Sequence, residues 1–185
     1  NLITMCDTFV ALNNITRQGN TLFAKNSDRA FNEAQYMDLL PAKRYQHPGQ
    51  LRLTHININQ VSHTHSVLLS KPHWIWGAEM GANEHGLVIG NEAVFSHIAA
   101  SDKDGIIGMD LLRLALERAC NVDEAIAVIT DLLTQHGQGG NCGYQQALTY
   151  HNAFMIADAD GACVLETVDR DWVVKRVEDC EAISN

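Results

Sequence analysis

The chain has 185 residues, of which 46% are hydrophobic, and its formal net charge is −9 at pH 7. This length and composition suit one globular domain with a substantial core. The acidic balance and the absence of a Lys/Arg run argue against nucleic acid or an anionic membrane as a partner, because both favour a basic surface. No apolar stretch approaches the roughly 20 residues that span a bilayer, and no signal peptide is recognisable. We expect a cytoplasmic protein that acts on small molecules.

The first third of the sequence predicts strands. Apolar runs at 8–12 and 21–24 are separated by polar and glycine residues, which favours a hairpin. Cys6 begins the first run and Asp28 follows the second, so antiparallel pairing brings the two residues to the same end. Further strands are predicted over 51–58, 66–70 and 87–89.

The middle of the chain predicts two amphipathic helices, at 109–120 and 122–136, because apolar residues recur there at helical spacing. Asn121 with Glu124 is typical of a helix start, and Gly137 of a helix end. Beyond a glycine-rich loop, strands are predicted over 154–157, 162–167 and 171–177. Strands, then helices, then strands indicate an α+β fold with segregated layers.

Cys6 is the candidate nucleophile. An N-terminal cysteine supplies two catalytic groups, because its sulfur attacks a carbonyl while its free α-amine, with a pKa of about 7.7–8.0, takes up the proton. That chemistry requires removal of residues 1–5, as a short propeptide or, if Met5 is the initiator, by removal of the initiating methionine. We therefore assign residues 1–5 to a leader or propeptide remnant and residues 6–185 to the domain that carries the candidate nucleophile.

Several segments resemble the secernins and their bacterial dipeptidase relatives. The resemblance rests on CDTFVAL at 6–12, FAKNSDR at 23–29, WGAEMGANEHG at 76–86 and GNEA at 90–93, with GQGGN at 137–141 and ISN at 183–185. It implies an N-terminal nucleophile hydrolase with a four-layer αββα sandwich that cleaves amide bonds in dipeptides or other short peptides. Penicillin V acylases and conjugated bile acid hydrolases are more distantly similar.

The resemblance also implies roles for individual residues. Cys6 is the nucleophile, Asp28 binds its α-amine, and Asn83 and Asn185 act as oxyanion-hole or substrate-orienting groups. From its position before the segment EHG, Asn83 is equally well interpreted as a turn residue that tolerates a left-handed conformation. Three further residues are candidates for the substrate side of the site. Lys25 supplies a cation that keeps the thiol pKa low, Arg29 is either structural or on the substrate side, and Trp76 is core or pocket wall.

Members of that family are about twice as long as this chain. The resemblance therefore implies that residues 6–185 are the N-terminal part of a longer domain, or that a second chain completes the sandwich, which leaves a homo-oligomer open. The expected partner is a small peptide substrate, with no nucleic acid and no membrane. The expected chemistry passes through a thioester and needs no cofactor or metal.

Other cysteines and histidines offer alternative sites. The five cysteines are an odd number without a CxxC pair, so we expect reduced thiols. Cys142 with His136 or His151 is a rival nucleophile pair. His63 and His65 could lie on one face of a strand beside His55 or His73 and bind zinc there. No closely spaced cysteines accompany these histidines, so we expect them to be exposed to solvent instead.

Two other functions remain open from the sequence. One is an acylase that acts on linear amides, of the penicillin V or bile-acid-conjugate type, which requires a deeper apolar pocket in place of a site for a charged substrate terminus. The other is a catalytically silent binding protein on the same scaffold, because a fold does not determine a function.

Overall fold

The structure is a computed structural model that describes residues 6–185, and the predicted leader lies outside the described residues. The elements run in the order β1 (Asp7–Ala11), β2 (Leu22–Asn26), β3 (Gln35–Leu40), β4 (Lys43–Arg44), β5 (Gln50–Arg52), β6 (Asn57–Asn59), β7 (His63–Thr64), β8 (Val67–Pro72), β9 (Met80–Asn83), β10 (Val88–Val94), α1 (Gly108–Arg118), α2 (Val122–His136), β11 (His151–Ala157), β12 (Ala162–Val168), β13 (Asp171–Arg176) and β14 (Cys180–Ser184).

A seven-stranded antiparallel sheet forms the centre of the molecule, in the order β13-β12-β11-β10-β9-β8-β3. Successive side chains of a strand point to opposite faces, so β11 contributes to two cores. Phe154 and Ile156 pack in one core with apolar residues of α1 and α2. Met155 and Ala157 face the other way. The sheet is therefore covered on both faces.

A three-stranded sheet, β14-β1-β2, covers the second face. Val10 and Leu12 pack there against Met155, Ala157 and Val164 of the large sheet. The order of layers is helices, large sheet, small sheet. These are three layers of the predicted αββα sandwich, and the part of the chain that is described contains no second helical layer.

The predicted hairpin at the start of the chain is confirmed. Strands β1 and β2 pair antiparallel with Asp7 opposite Asn26, which brings Cys6 and Asp28 to one end. The prediction of a single strand over 51–58 is wrong, since β5 and β6 form a small hairpin of their own there. Strands β3, β9 and β14 were not predicted.

Both predicted helices are confirmed, and α2 has the predicted bounds. The Asn121 side chain accepts a hydrogen bond from the backbone N–H of Glu124 at 2.9 Å, as an N-cap does. At the other end Gly137 has φ 72° and its N–H donates to the Leu133 carbonyl. Glycine adopts this positive φ without the steric cost that a side chain would meet.

Helix α1 holds the loop between β8 and β9. The buried Asp110 carboxylate accepts from Gly77 N at 3.0 Å and from Thr54 N and Oγ1 at 3.0 and 2.7 Å. Gly77 has no room for a side chain, because a Cβ would collide with the backbone of Met109. These contacts fix the course of the chain that leads to Glu79.

Neither helix within residues 6–185 is long and apolar enough to cross a membrane.

Candidate active site

Cys6 lies immediately before β1 and is buried, with 7% of its surface exposed. Its sulfur contacts the backbone of Asp28: the Asp28 N–H points at Sγ over 3.4 Å, and Sγ lies 3.8 Å from the Asp28 carbonyl oxygen. The hairpin of β1 and β2 produces this contact. The predicted proximity of Cys6 and Asp28 is therefore confirmed, and the contact with the sulfur is made by the peptide backbone of Asp28.

Asn185 lies on the other side of Cys6, because β14 pairs with β1. The backbone nitrogen of Cys6 donates to Asn185 Oδ1 at 2.7 Å. Within residues 6–185 the Nδ2 group of Asn185 has no hydrogen-bond partner. The side chain therefore holds the nitrogen of Cys6 with its oxygen and retains two N–H donors beside the sulfur-bearing residue.

A buried cluster of charges lies behind the thiol. Lys25, whose side chain is 0% exposed, forms ion pairs with Glu92 at 3.4 Å and with Glu79 at 3.9 Å. Thr8 donates a hydrogen bond to Glu92, and Ser27 donates to Glu79 at 2.8 Å. Buried charges are tolerated where they are paired and hydrogen-bonded in this way. The cluster connects the hairpin of β1 and β2 with β10 and with the residue that precedes β9.

Burial raises the pKa of the Cys6 thiol above its usual value, because a thiolate is poorly solvated there. The cation of Lys25 acts in the opposite direction and lowers that pKa, while the charge of Glu79 raises it. Burial likewise raises the pKa of Glu92 despite its contact with Lys25. Lys25 therefore opposes the effect of burial but does not keep the thiol pKa low, because burial has the larger effect.

Arg29 belongs to a second ion-pair cluster next to the first. Its guanidinium contacts Glu33 at 2.8 Å and Glu79 at 3.2 Å, and it donates to the Cys142 carbonyl at 2.9 Å. Trp74 donates to the other side of this cluster, at Glu33 Oε1. Burial lowers the pKa of Arg29, but Glu79 and Glu33 together outweigh it and raise that pKa above its ordinary value. They favour the structural alternative for Arg29.

Residues 15–179 match the profile of a family described as acyl-coenzyme A:6-aminopenicillanic acid acyl-transferase. The match covers most of the chain. The protein belongs to this acyl-transferase family.

Solved structures share the fold of this acyl-transferase family member. A mutant of conjugated bile acid hydrolase from Clostridium perfringens, altered at a cysteine, superposes with a TM-score of 0.64 at 18% identity, over 94% of this chain and 52% of that one. Penicillin V acylase from Agrobacterium tumefaciens gives 0.59 at 16%, over 92% and 49%. A second variant of the Clostridium enzyme, altered at an arginine, gives 0.63 at 18%, over 94% and 52%.

The fold is therefore that of the N-terminal nucleophile hydrolases, as predicted. The chain spans about half of the length of the solved structures that it matches. Its described residues account for three of the four layers of the αββα sandwich.

The contacts of Asn83 do not fit the oxyanion role that was predicted for it. Asn83 is buried at the end of β9, and its amide donates to the carbonyls of Leu116 and Ala119 at 3.0 and 2.7 Å. Its oxygen accepts from the N–H groups of His85 and Leu87. Both amide hydrogens are thus used by the end of α1, so Asn83 has no donor left for substrate.

Trp76 does not form a pocket wall beside Cys6. The Arg113 guanidinium lies over its ring, 3.9 Å from the ring centre, and its backbone N–H donates to Thr54. The side chain packs against the core between the large sheet and the helices. Of the two predicted roles, the structure supports core packing.

The rival pair built on Cys142 does not form. Both ring nitrogens of His151 are bonded to backbone groups, at Ile98 and Asp169. His136 is exposed at the end of α2. Burial raises the pKa of Cys142 to about 12, and a protonated thiol is a poor nucleophile.

The sequence analysis assigned no role to Glu79 or Glu92, the acidic half of the buried cluster. Both lie in segments that carried the resemblance, WGAEMGANEHG and GNEA. Each glutamate is the only charged residue of its run, WGAEMGAN and GNEAVF, which is a signal of a buried carboxylate with a partner, since glutamates are rarely buried unless they are paired. Their common partner Lys25 is distant in sequence and is brought near only by the packing of the two sheets.

Proposed function

We propose that the protein is a cysteine N-terminal nucleophile hydrolase that cleaves linear amides, as an acylase does. The observation that carries the proposal is the position of Cys6: its sulfur lies against the Asp28 backbone and its nitrogen is held by Asn185. Membership of the acyl-transferase family and the fold shared with a bile acid hydrolase and a penicillin V acylase support this substrate class.

In the proposed reaction the Cys6 sulfur attacks the amide carbonyl and forms a carbon–sulfur bond. The α-amine of Cys6 takes the thiol proton and delivers it to the leaving amine as the carbon–nitrogen bond breaks. Water then attacks the thioester, which releases the carboxylic acid and restores the thiol. The Nδ2 group of Asn185 donates to the oxyanion, a contact whose loss typically costs about 100- to 1000-fold in rate.

This mechanism requires that the nitrogen of Cys6 be a free amine, so residues 1–5 must be removed. The test compares a version of the protein that begins at Cys6 with one that retains residues 1–5. Both are treated with penicillin V, with a glycine-conjugated bile acid and with a thiol-directed electrophile. We expect amide cleavage and labelling of Cys6 in the version that begins at Cys6, and no cleavage in the other.

Two variants sharpen the test. Cys6→Ala is expected to abolish cleavage and labelling, whereas Cys180→Ala, which removes an exposed cysteine, is expected to retain both. Equal cleavage by the Cys6→Ala variant would overturn the proposal. A protein that binds these amides without cleaving them, even when it begins at Cys6, would favour the binding-protein alternative.

A second candidate substrate class is the dipeptides, which the resemblance to the secernins implies. The observation that favours it is the buried charge next to Cys6: Glu92 Oε2 lies in this cluster without a hydrogen-bond partner within residues 6–185. Although the carboxylate is buried, its negative charge acts over distance and favours a substrate with a protonated amino end over a neutral one. Comparing kcat/KM for dipeptides with free and with acetylated amino ends tests it, and a preference for the acetylated forms would exclude it.

A further inference from the structure

Three potential metal ligands meet at the end of the large sheet, in a place that the proposed hydrolase chemistry does not use. They are His65, between β7 and β8, His85, in the turn between β9 and β10, and Cys120, between α1 and α2. His85 Nε2 lies 3.1 Å from His65 Nδ1, and Cys120 Sγ lies 3.5 Å from His65 Nε2. Each ligand comes from a different segment of the chain.

The backbone of each residue is fixed by a hydrogen bond of its own. His65 N donates to the carbonyl of Glu117 at 2.8 Å, and His85 N donates to the side chain of Asn83 at 3.0 Å. Cys120 N donates to Glu124 Oε2 at 2.7 Å. The three positions are therefore held in the folded protein, so binding a ligand that joins them costs little in ordering the chain.

The spacing suits a tetrahedral zinc ion. Bond lengths of about 2.0–2.1 Å to nitrogen and 2.3 Å to sulfur place neighbouring ligand atoms about 3.3–3.6 Å apart. One ligand atom from each of the three residues can be chosen so that all lie within 4.8 Å of one another. The short contacts of His65 with His85 and Cys120 use opposite ring nitrogens, so the side chains turn to present one atom each to a single ion.

The surroundings also favour a cation. Glu84 Oε1 lies 3.8 Å from His65 Nδ1, and the His63 ring lies 5.1 Å from the His65 ring. Either side chain or a water molecule can complete the coordination. His85 is exposed, and His65 and Cys120 are half-buried, so an ion can enter from solvent.

We propose that His65, His85 and Cys120 form a zinc site that fastens the β9–β10 turn to the junction of the two helices. Imidazole and thiolate are the ligand types that zinc prefers in structural sites. Asn83 supports the site, because it bonds both the His85 backbone and the end of α1. Glu79, which belongs to the charged cluster near Cys6, precedes the start of β9, whereas His85 follows the end of that strand. The ion therefore lies away from Cys6, and its role is structural.

Cobalt(II) substitution tests this proposal, because a thiolate ligand gives cobalt a charge-transfer band. The metal-free protein is titrated with Co²⁺ and then with Zn²⁺ as competitor. We expect one equivalent to bind with a thiolate charge-transfer band and a tetrahedral visible spectrum, and Zn²⁺ to displace it. Cys120→Ser is expected to remove the charge-transfer band, and Cys180→Ser, the matched control, to keep it.

The exposed His85 offers a variant that should fold normally. His85→Ala is expected to weaken Zn²⁺ binding by more than the 10- to 100-fold that loss of an outer-shell partner typically costs. His47→Ala, which removes another exposed histidine, is expected to leave binding unchanged. Equal Co²⁺ spectra for wild type and Cys120→Ser, or no binding by wild type, would show that the three side chains form only a hydrogen-bonded cluster and would overturn the proposal.

Discussion

At the scale of single residues, the reactivity of Cys6 depends on charges of both signs. Burial is the largest influence and raises the pKa of the thiol, the Lys25 cation lowers it, and Glu79 raises it again. The reactive thiolate therefore forms at a pH above that of an ordinary cysteine. The buried cluster adjusts the position of that titration without contacting the sulfur directly.

The opposite effects of Lys25 and Glu79 give a paired prediction. In a Cys180→Ser background, which removes an exposed thiol, the alkylation rate of Cys6 is measured against pH. Lys25→Met removes a cation that stabilises the thiolate, so we expect the midpoint of the rate–pH profile to move to higher pH and alkylation at pH 7 to slow. Glu79→Gln removes an anion, so we expect the midpoint of that profile to move to lower pH. Shifts in the same direction would contradict the role assigned to these charges.

Asn83 contributes to stability through four hydrogen bonds. Asn83→Ala leaves two buried carbonyls at the end of α1 without a donor, so we expect a loss of about 2–3 kcal/mol in the free energy of unfolding. Denaturant titration measures it. Asn13→Ala, which removes an exposed hydrogen bond to Ala159, is the control and is expected to change stability by less than about 0.5 kcal/mol.

At the scale of elements, the N-cap of α2 predicts a smaller effect. Asn121→Ala removes the acceptor for the Glu124 N–H and is expected to cost about 1 kcal/mol. For a chain of this size that corresponds to about 2–4 °C in Tm, measured by thermal unfolding. Asn121→Ser retains a side-chain acceptor and should stay close to wild type. A loss equal to that of the alanine variant would argue against the cap.

The sequence predicted the helices better than the strands, for a physical reason. The apolar spacing of α2 and its caps at Asn121 and Gly137 lie within one short segment, so its bounds could be predicted. Strand β14 alternates between exposed and half-buried residues and pairs with β1, at the far end of the chain. A strand that depends on such a distant partner could not be predicted from its own short sequence. Strand β9, MGAN, contains a glycine and an asparagine, which are depleted in strands.

The same distinction applies to the candidate site. Cys6 and Asp28 could be predicted because one hairpin joins them. Glu79 and Glu92 meet Lys25 through the packing of two sheets, and no local pattern reveals that contact. Asn83 was misassigned because its motif was evident in the sequence, whereas its contacts with α1 were not.

At the scale of the whole molecule, the contact between the two sheets holds the hairpin of Cys6 in place. Met155 is fully buried between the sheets, so Met155→Ala is expected to cost about 2–5 kcal/mol. Met37→Ala, at a position that is 62% exposed, is the matched control and should change stability by less than about 0.5 kcal/mol. Urea titrations measure both. Similar losses would contradict the two-core arrangement.

The hydrogen bond between Cys6 and Asn185 joins residues 179 positions apart. A ribosome adds about 5–20 residues per second, so about 10–40 s separate the synthesis of the two partners. Once Cys6 has left the ribosome, it lacks the strand that lies beside β1 in the folded protein until β14 has been made. The nascent thiol is therefore more exposed to oxidants than the thiol of the folded protein, in which β14 lies beside β1 and Cys6 is buried.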